Sequence, residues 1–304
     1  MRVLVVCCTN TRQTPRAVDG LLASLVDRPD VEIVRWDLAS EVTYPYPWGF
    51  LEFFGLFSDC VRGRGPELLP PPAEVQGAFD CVVLAYPVWF LSPALPMASF
   101  LASDQARRLL ADTPVISLIT CRNMWFNAGL ETFARIRALG GRLQDSVVLQ
   151  DDGPAWSTFI TTPVWLLFGR KRFWRFPEAG ISDQAFAGLS RLSDSWAAAL
   201  DRGWPPPGPP FTGLDSVACQ ERYVFPELVL KRVLFRPWAA IIGGLRAALP
   251  FLEKPLTLVF FFALLATVVL LIPLLLISRI VFVLAFRPRY RRLLEAVRAP
   301  YPPA

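Results

Sequence analysis

The chain opens Met1-Arg2-Val3-Leu4-Val5-Val6-Cys7-Cys8-Thr9-Asn10-Thr11-Arg12-Gln13-Thr14. Residues 2–8 form a run that is continuously apolar after Arg2, the pattern of a strand covered on both faces. A polar loop ends the run, and Ala17, Leu21, Leu22 and Leu25 follow at helical spacing. The same alternation recurs downstream. Strands are expected at 31–36, 80–86, 114–120 and 145–149, and helices at about 93–111, 127–139 and 182–201. Apolar strands alternating with amphipathic helices specify a doubly wound α/β domain with a five-stranded parallel sheet.

Composition narrows the chemistry. The 304 residues include 10 Trp, 23 Phe and 29 Pro but no His, which excludes His-based triads, zinc sites and general bases. Cysteines stand at 7, 8, 60, 81, 121 and 219 with no C-x-x-C pair, so they read as free buried thiols of a reducing compartment and no metal site is expected. The first apolar run is too short for a signal peptide. The α/β domain is therefore expected on the cytoplasmic side.

A mean hydropathy of +0.39 exceeds that of a soluble enzyme, and the excess has addresses. Apolar insertions at about 44–60 and 154–175 interrupt the alternation. The first contains Pro45, Pro47, Trp48, Phe50, Phe53, Phe54 and Phe57. The second carries Trp156, Phe159, Trp165 and Phe168, then Arg170, Lys171, Arg172 and Arg175. Aromatic surface beside a basic cluster suits a bilayer interface, although the two insertions covering each other as core is the plainer reading. Residues 1–203 form the α/β domain and 204–222 read as a Pro-rich linker, leaving 223–304 as membrane-associated helices. Residues 255–278 carry no charge, long enough to cross a hydrocarbon core. Arg279 follows, and residues 287–298 hold five Arg against one Glu, so the net charge of +5 lies largely beside apolar segments. That placement argues against nucleic acid and for membrane lipids. Basic flanks on both sides and Pro273 near the middle favour a re-entrant hairpin or monotopic insertion of 255–286 over one crossing.

In an open parallel sheet, ligands bind beyond the carboxyl ends of the strands. Three loops leave such ends. Thr9, Asn10, Thr11, Arg12, Gln13 and Thr14 offer hydroxyls and backbone N–H groups at a helix start, a natural phosphate site. Pro87, Val88, Trp89 and Phe90 offer flat aromatic surface after the third strand. Cys121, Arg122, Asn123, Met124 and Trp125 offer a cation, an amide and an indole after the fourth. With no G-x-G-x-x-G present, a phosphorylated planar cofactor such as FMN fits better than a dinucleotide. Asp151 and Asp152 read as turn formers before Gly153. No pair of titrating groups stands out, so no catalytic acid or base is assigned.

Thr9-x-Thr11-x-Gln13-Thr14 resembles the phosphate loop of flavodoxin-like proteins, with Arg12 where that family commonly has Gly. Tyr86-Pro87-Val88-Trp89, followed by Pro93 and Pro96, is similar to the second loop of flavodoxin-like NAD(P)H:quinone reductases. The resemblance implies FMN against these loops, Arg122 beside the reduced ring or an anion, and NAD(P)H as a possible electron source. Pro45-x-Pro47-Trp48, Trp89-Phe90-Leu91-Ser92-Pro93, Arg122-Asn123-Met124-Trp125 and Phe176-Pro177-Glu178-Ala179-Gly180 together resemble flavodoxin-like proteins of bacterial dialkylresorcinol biosynthesis, often labelled condensing enzymes. That narrower likeness implies a ketosynthase partner, a lipid-tailed cyclic dione as substrate, and the cytoplasmic face of the inner membrane. The condensing label does not suit a chain with no His and no ketosynthase nucleophile motif. Two readings remain: a membrane-associated FMN-dependent oxidoreductase, and a non-catalytic membrane adaptor built on a degenerate flavodoxin-like domain. Oligomeric state is open, with a dimer possible.

Overall fold

The computed structural model describes residues 1–298. The tail 299–304 lies outside the described residues, as do the side chains of Trp156, Phe159, Arg279, Arg289 and Arg298. Five strands, β1 (Arg2–Cys7), β2 (Glu32–Asp37), β3 (Cys81–Trp89), β4 (Pro114–Cys121) and β5 (Arg142–Gln150), pair in parallel in the order β2-β1-β3-β4-β5. This is the flavodoxin-like order, whose switch point lies between β1 and β3. Ser92–Pro93 doubles back antiparallel on the end of β3.

Alternate strand residues divide the core into two layers. Leu4, Val6, Val82, Leu84 and Ile119 face α4 (Leu95–Ala102), α5 (Asp104–Leu110) and α6 (Phe126–Ala138). Val3, Val5, Val83, Ile116 and Leu118 face α1 (Gln13–Leu22), α8 (Asp183–Ala187) and α9 (Leu189–Asp201). The helix expected over 93–111 breaks at Ser103, whose hydroxyl accepts from Ala106 N–H and caps α5. Ser182 does the same for α8 by accepting from Ala185 N–H.

The first insertion forms α2 (Phe50–Gly55) and α3 (Phe57–Arg62), and the second forms α7 (Ala155–Phe168). They cover each other in part. Trp48 N–H donates to the Leu166 carbonyl, and the Tyr46 and Trp165 rings meet edge to face at 6.3 Å.

The C-terminal third departs from the sequence reading. Residues 204–222, expected as a linker, run along the open edge of β5. Ser216 C=O accepts from Val148 N–H, Asp145 accepts from Phe211 N–H, and Gln144 donates to Pro206 and Gly208 carbonyls. An edge strand presents unpaired polar groups, and this segment satisfies some of them.

Beyond it, α10 (Glu221–Val229), a π-helical stretch (Leu230–Phe235) and α11 (Arg236–Ala248) form one helix. A turn at 249–252 leads into α12 (Glu253–Ala266), a second π stretch (Thr267–Leu271) and α13 (Ile272–Ala285), again continuous. The reversal lies before the apolar segment, so the re-entrant turn expected near Pro273 is absent. Pro273 sits in the first turn of α13, and the π stretch just before it absorbs the shifted hydrogen-bond register. α14 (Arg287–Arg298) folds back, with Tyr290 Oη donating to the Glu221 carbonyl.

The hairpin is not a separate unit. Phe57 from α3, Phe235, and Phe260 from α12 share an aromatic core in which Phe57 and Phe260 stack at 3.6 Å. Full burial of each such ring contributes about 1.5–3 kcal/mol. The outer side stays bare. Leu258, Phe262, Leu265, Val269, Leu270, Leu274, Ile277, Ile280 and Leu284 are all exposed at helical spacing.

Candidate functional site

All three loops leave the carboxyl edge of the sheet, and each contains a non-glycine residue held at positive φ: Arg12 at 61°, Phe90 and Leu91 at 48° and 58°, and Met124 at 52°. Such conformations cost on the order of 1–2 kcal/mol per residue and gather at functional sites. Arg12 explains how the first loop tolerates the loss of glycine. It takes the left-handed conformation that Gly favours, its N–H donates to Thr9 Oγ1, and its side chain points to solvent.

Nine of the predicted residues line one cavity of about 190 Å³: Asn10, Thr11, Gln13, Pro87, Val88, Trp89, Phe90, Cys121 and Arg122. The other six lie elsewhere. Thr9 and Arg12 are exposed at the loop's outer side, and Thr14 is buried, sharing a 2.8 Å hydrogen bond with Thr120 Oγ1. Asn123 lines a neighbouring cavity. Met124 packs against the hairpin core. Trp125, expected against the ligand, is a core residue with 2% exposure, and its Nε1–H donates to the Ala218 carbonyl. Its ring lies against Gly129, where a Cβ would come within 2.8 Å of it. Trp89 lines the cavity, and its ring also packs on Tyr44 and Trp48 at 5.3 and 5.6 Å.

The electrostatic centre is Arg122. Its guanidinium pairs with Asp151 at 2.8 Å and donates to Thr161 Oγ1. Burial pulls it down to about 10, with Asp151 acting in the opposite direction. Asp151 also accepts from Gly153 and Gly180 N–H, so it forms its turn and orients the cation together. Asp151 was not among the site residues expected from sequence, nor were Phe53, Thr120, Thr162, Trp165, Leu166 and Gly180, which complete the wall. The usable signal was Asp151's position one residue past β5, at the same edge as Arg122.

Four buried side-chain donors at this cavity have no partner: Asn10 Nδ2, Gln13 Nε2, Arg122 Nε and Thr162 Oγ1. Leaving such groups unpaired costs on the order of 1–3 kcal/mol each, and all four belong to residues that line this one cavity. Gly180 keeps the wall open. It sits at φ 104°, and a Cβ there would come within 2.7 Å of Gln13 Nε2.

Two of these loops are held from behind by the hairpin. Glu227 accepts from Phe126 and Asn127 N–H at the start of α6, which fixes the third loop. One turn on, Lys231 is fully buried and donates to the Leu91 carbonyl at 3.0 Å and to Ser92 Oγ, with Glu131 at 3.2 Å, which fixes the second loop.

No protein-family model and no curated protein matches the chain. Among solved structures it is similar to a flavoprotein from Lactobacillus acidophilus NCFM in complex with FMN, at 19% identity and TM-score 0.38, over 48% of this chain and 92% of that one. It is similar to a Streptococcus pneumonia TIGR4 flavodoxin at 11% identity and TM-score 0.36, over 65% and 99%. An azoreductase from Bacillus anthracis str. Sterne overlaps at 16% identity and TM-score 0.35, over 64% and 99%. The fold assignment rests on the strand order rather than on these overlaps, which leave a third or more of this chain unmatched.

Proposed function

We propose that the protein is a membrane-associated, FMN-dependent oxidoreductase acting on a lipophilic cyclic dione or quinone. The observation that carries this is the convergence of four unpartnered buried donors on one cavity at the carboxyl edge of a flavodoxin-ordered sheet. The residues fit FMN. The turn at Thr9–Gln13 offers backbone N–H groups at the start of α1 for a phosphate, and Asn10 Nδ2 and Gln13 Nε2 supply donors beside it. Pro87, Val88, Trp89 and Phe90 give a flat apolar wall for a ring system, and Arg122 Nε is free to donate to a ring oxygen or a developing negative charge. FMN held there would supply two-electron redox chemistry, which suits a chain whose own residues offer no His and no acid–base pair. NAD(P)H is the natural electron source if the reaction runs as a reduction.

Membrane association is supported by Glu253–Leu271, the one described helix long and apolar enough to cross a bilayer, with mean hydropathy 2.2 and little of it buried. Its partners argue for lying in the membrane plane. α12 packs on α2 and α11, and α13 packs on α10, so a perpendicular crossing would drag the α/β domain into the hydrocarbon. An in-plane helix instead presents its bare side to lipid, flanked by exposed Phe168 and Trp174 and the cations of 170–175. The resemblance to dialkylresorcinol-pathway proteins supports an aromatising oxidation of a lipid-tailed ring, with a ketosynthase as partner and the inner membrane's cytoplasmic face as location.

The test is anaerobic mixing of FMN-reconstituted, detergent-purified protein with an alkyl-substituted cyclohexanedione. Loss of the absorbance at about 450 nm together with formation of an aromatic product is expected. Bound FMN that stays oxidised with diones, and that is not reoxidised by quinones after chemical reduction, would refute the substrate class.

A further inference from the structure

A second cavity, of about 260 Å³, adjoins the first. The two share Phe53, Phe90, Arg122, Thr162 and Leu166, so they lie against the same side chains, Arg122 among them. Beyond these shared residues the walls are mainly apolar: Phe54 from α2, Pro163 and Leu167 from α7, and Leu264 from α12. Two of its wall residues precede exposed apolar ones in the sequence. Leu264 is followed by exposed Leu265, and Leu167 by Phe168, which is 68% exposed.

We infer that this second cavity is a hydrocarbon-chain chamber, filled by the tail of the same molecule whose polar ring reaches Arg122, and loaded laterally from the lipid-facing side between α7 and α12. The walls shared with the head cavity select this occupant. A chain entering past Leu264 places its first polar atoms beside Arg122 Nε and Thr162 Oγ1, two of the unpartnered donors. The polar end of the chamber and the ring site therefore share these two donors. A second protein segment would not reach them through a space of about 260 Å³. α12 thus acts as a wall of the binding site as well as membrane-facing surface. This rests on reading the first cavity as the FMN and ring site.

The experiment uses the full chain in amphipol, reconstituted with FMN, and a series of 4-n-alkylphenols from ethyl to hexyl titrated by calorimetry. Affinity is expected to rise about fourfold per buried methylene. Leu264→Trp, which fills the chamber from α12, should abolish that increment while leaving ethylphenol affinity and FMN stoichiometry unchanged. Leu167→Trp fills it from the opposite wall and should do the same, which guards against one variant misfolding. Affinity independent of chain length, or a chain-length slope that survives in both variants, would overturn the inference. FMN stoichiometry is measured in the same samples, so a chain that takes up the phenol series without binding FMN would refute the cofactor reading and leave the chamber standing.

Discussion

Arg12 shows how one residue can depart from a pattern and keep its geometry. A side chain at φ 61° pays a steric penalty that Gly does not, so Arg12→Gly should raise stability by about 1 kcal/mol without weakening FMN binding, read from the melting temperature and an FMN titration. A fall in FMN affinity would mean that the Arg12 side chain contacts the phosphate. Asp151 is the opposite case, since its loss leaves Arg122 without its ionic partner in a largely buried site. Asp151→Ala should cost about 3 kcal/mol, read from chemical denaturation, and a cost below about 1 kcal/mol would show that the pair behaves as if solvent-exposed. The strand-end loops were legible at this scale because their residue types announce polar and aromatic surface. Trp125 was misplaced because its loop position says nothing of χ angles. The ring turns inward over Gly129, a contact that only the packed structure reveals.

Among the elements, α10 and its π continuation connect the C-terminal hairpin to the site. Burial pushes the Glu227 carboxyl up to about 7 from its ordinary 4.5, although Asn127 and Phe126 N–H groups and Lys231 act to lower it. Between those two values the folded chain holds a proton that the unfolded chain has released. Stability should therefore fall as pH rises through this window and level off above about 7. Glu227→Gln should flatten that slope in melting temperatures measured across the window, and a wild-type profile that rises instead would contradict the burial. The five strands were readable because parallel, doubly covered strands are apolar throughout. The hairpin's docking was not readable, because Glu227 and Lys231 look like ordinary surface charges one helical turn apart. Only their partners 100 to 140 positions away, Asn127 and Leu91, make them buried supports for two loops. The linker reading failed for a related reason. Proline-rich sequence predicts no regular element, yet its carbonyls and Phe211 still find partners along β5.

For the whole molecule, charge and apolar surface divide the chain into a flavodoxin-ordered domain and a helical hairpin packed onto it, with exposed apolar residues on one side. Arg170 and Lys171 are exposed, close in sequence to the exposed Phe168. Replacing both with Ala should lower affinity for anionic vesicles roughly tenfold, with little change for neutral ones, and equal loss on both vesicle types would point to damaged packing instead. The excess hydropathy was visible in the sequence, but the contacts of α12 with α2 and α11, and of α13 with α10, were not.

The central claim is that the loop cavity holds FMN through Asn10, Gln13 and Arg122. It is tested most directly by titrating the detergent-purified apoprotein with FMN and following quenching of flavin fluorescence, beside a Gln13→Leu, Arg122→Gln double variant whose fold is checked by circular dichroism. One FMN should bind per chain with a dissociation constant of about 1 µM or tighter, weakened at least roughly a hundredfold in the variant. No binding by the wild type at about 100 µM FMN, or equal binding by the two proteins, would contradict it.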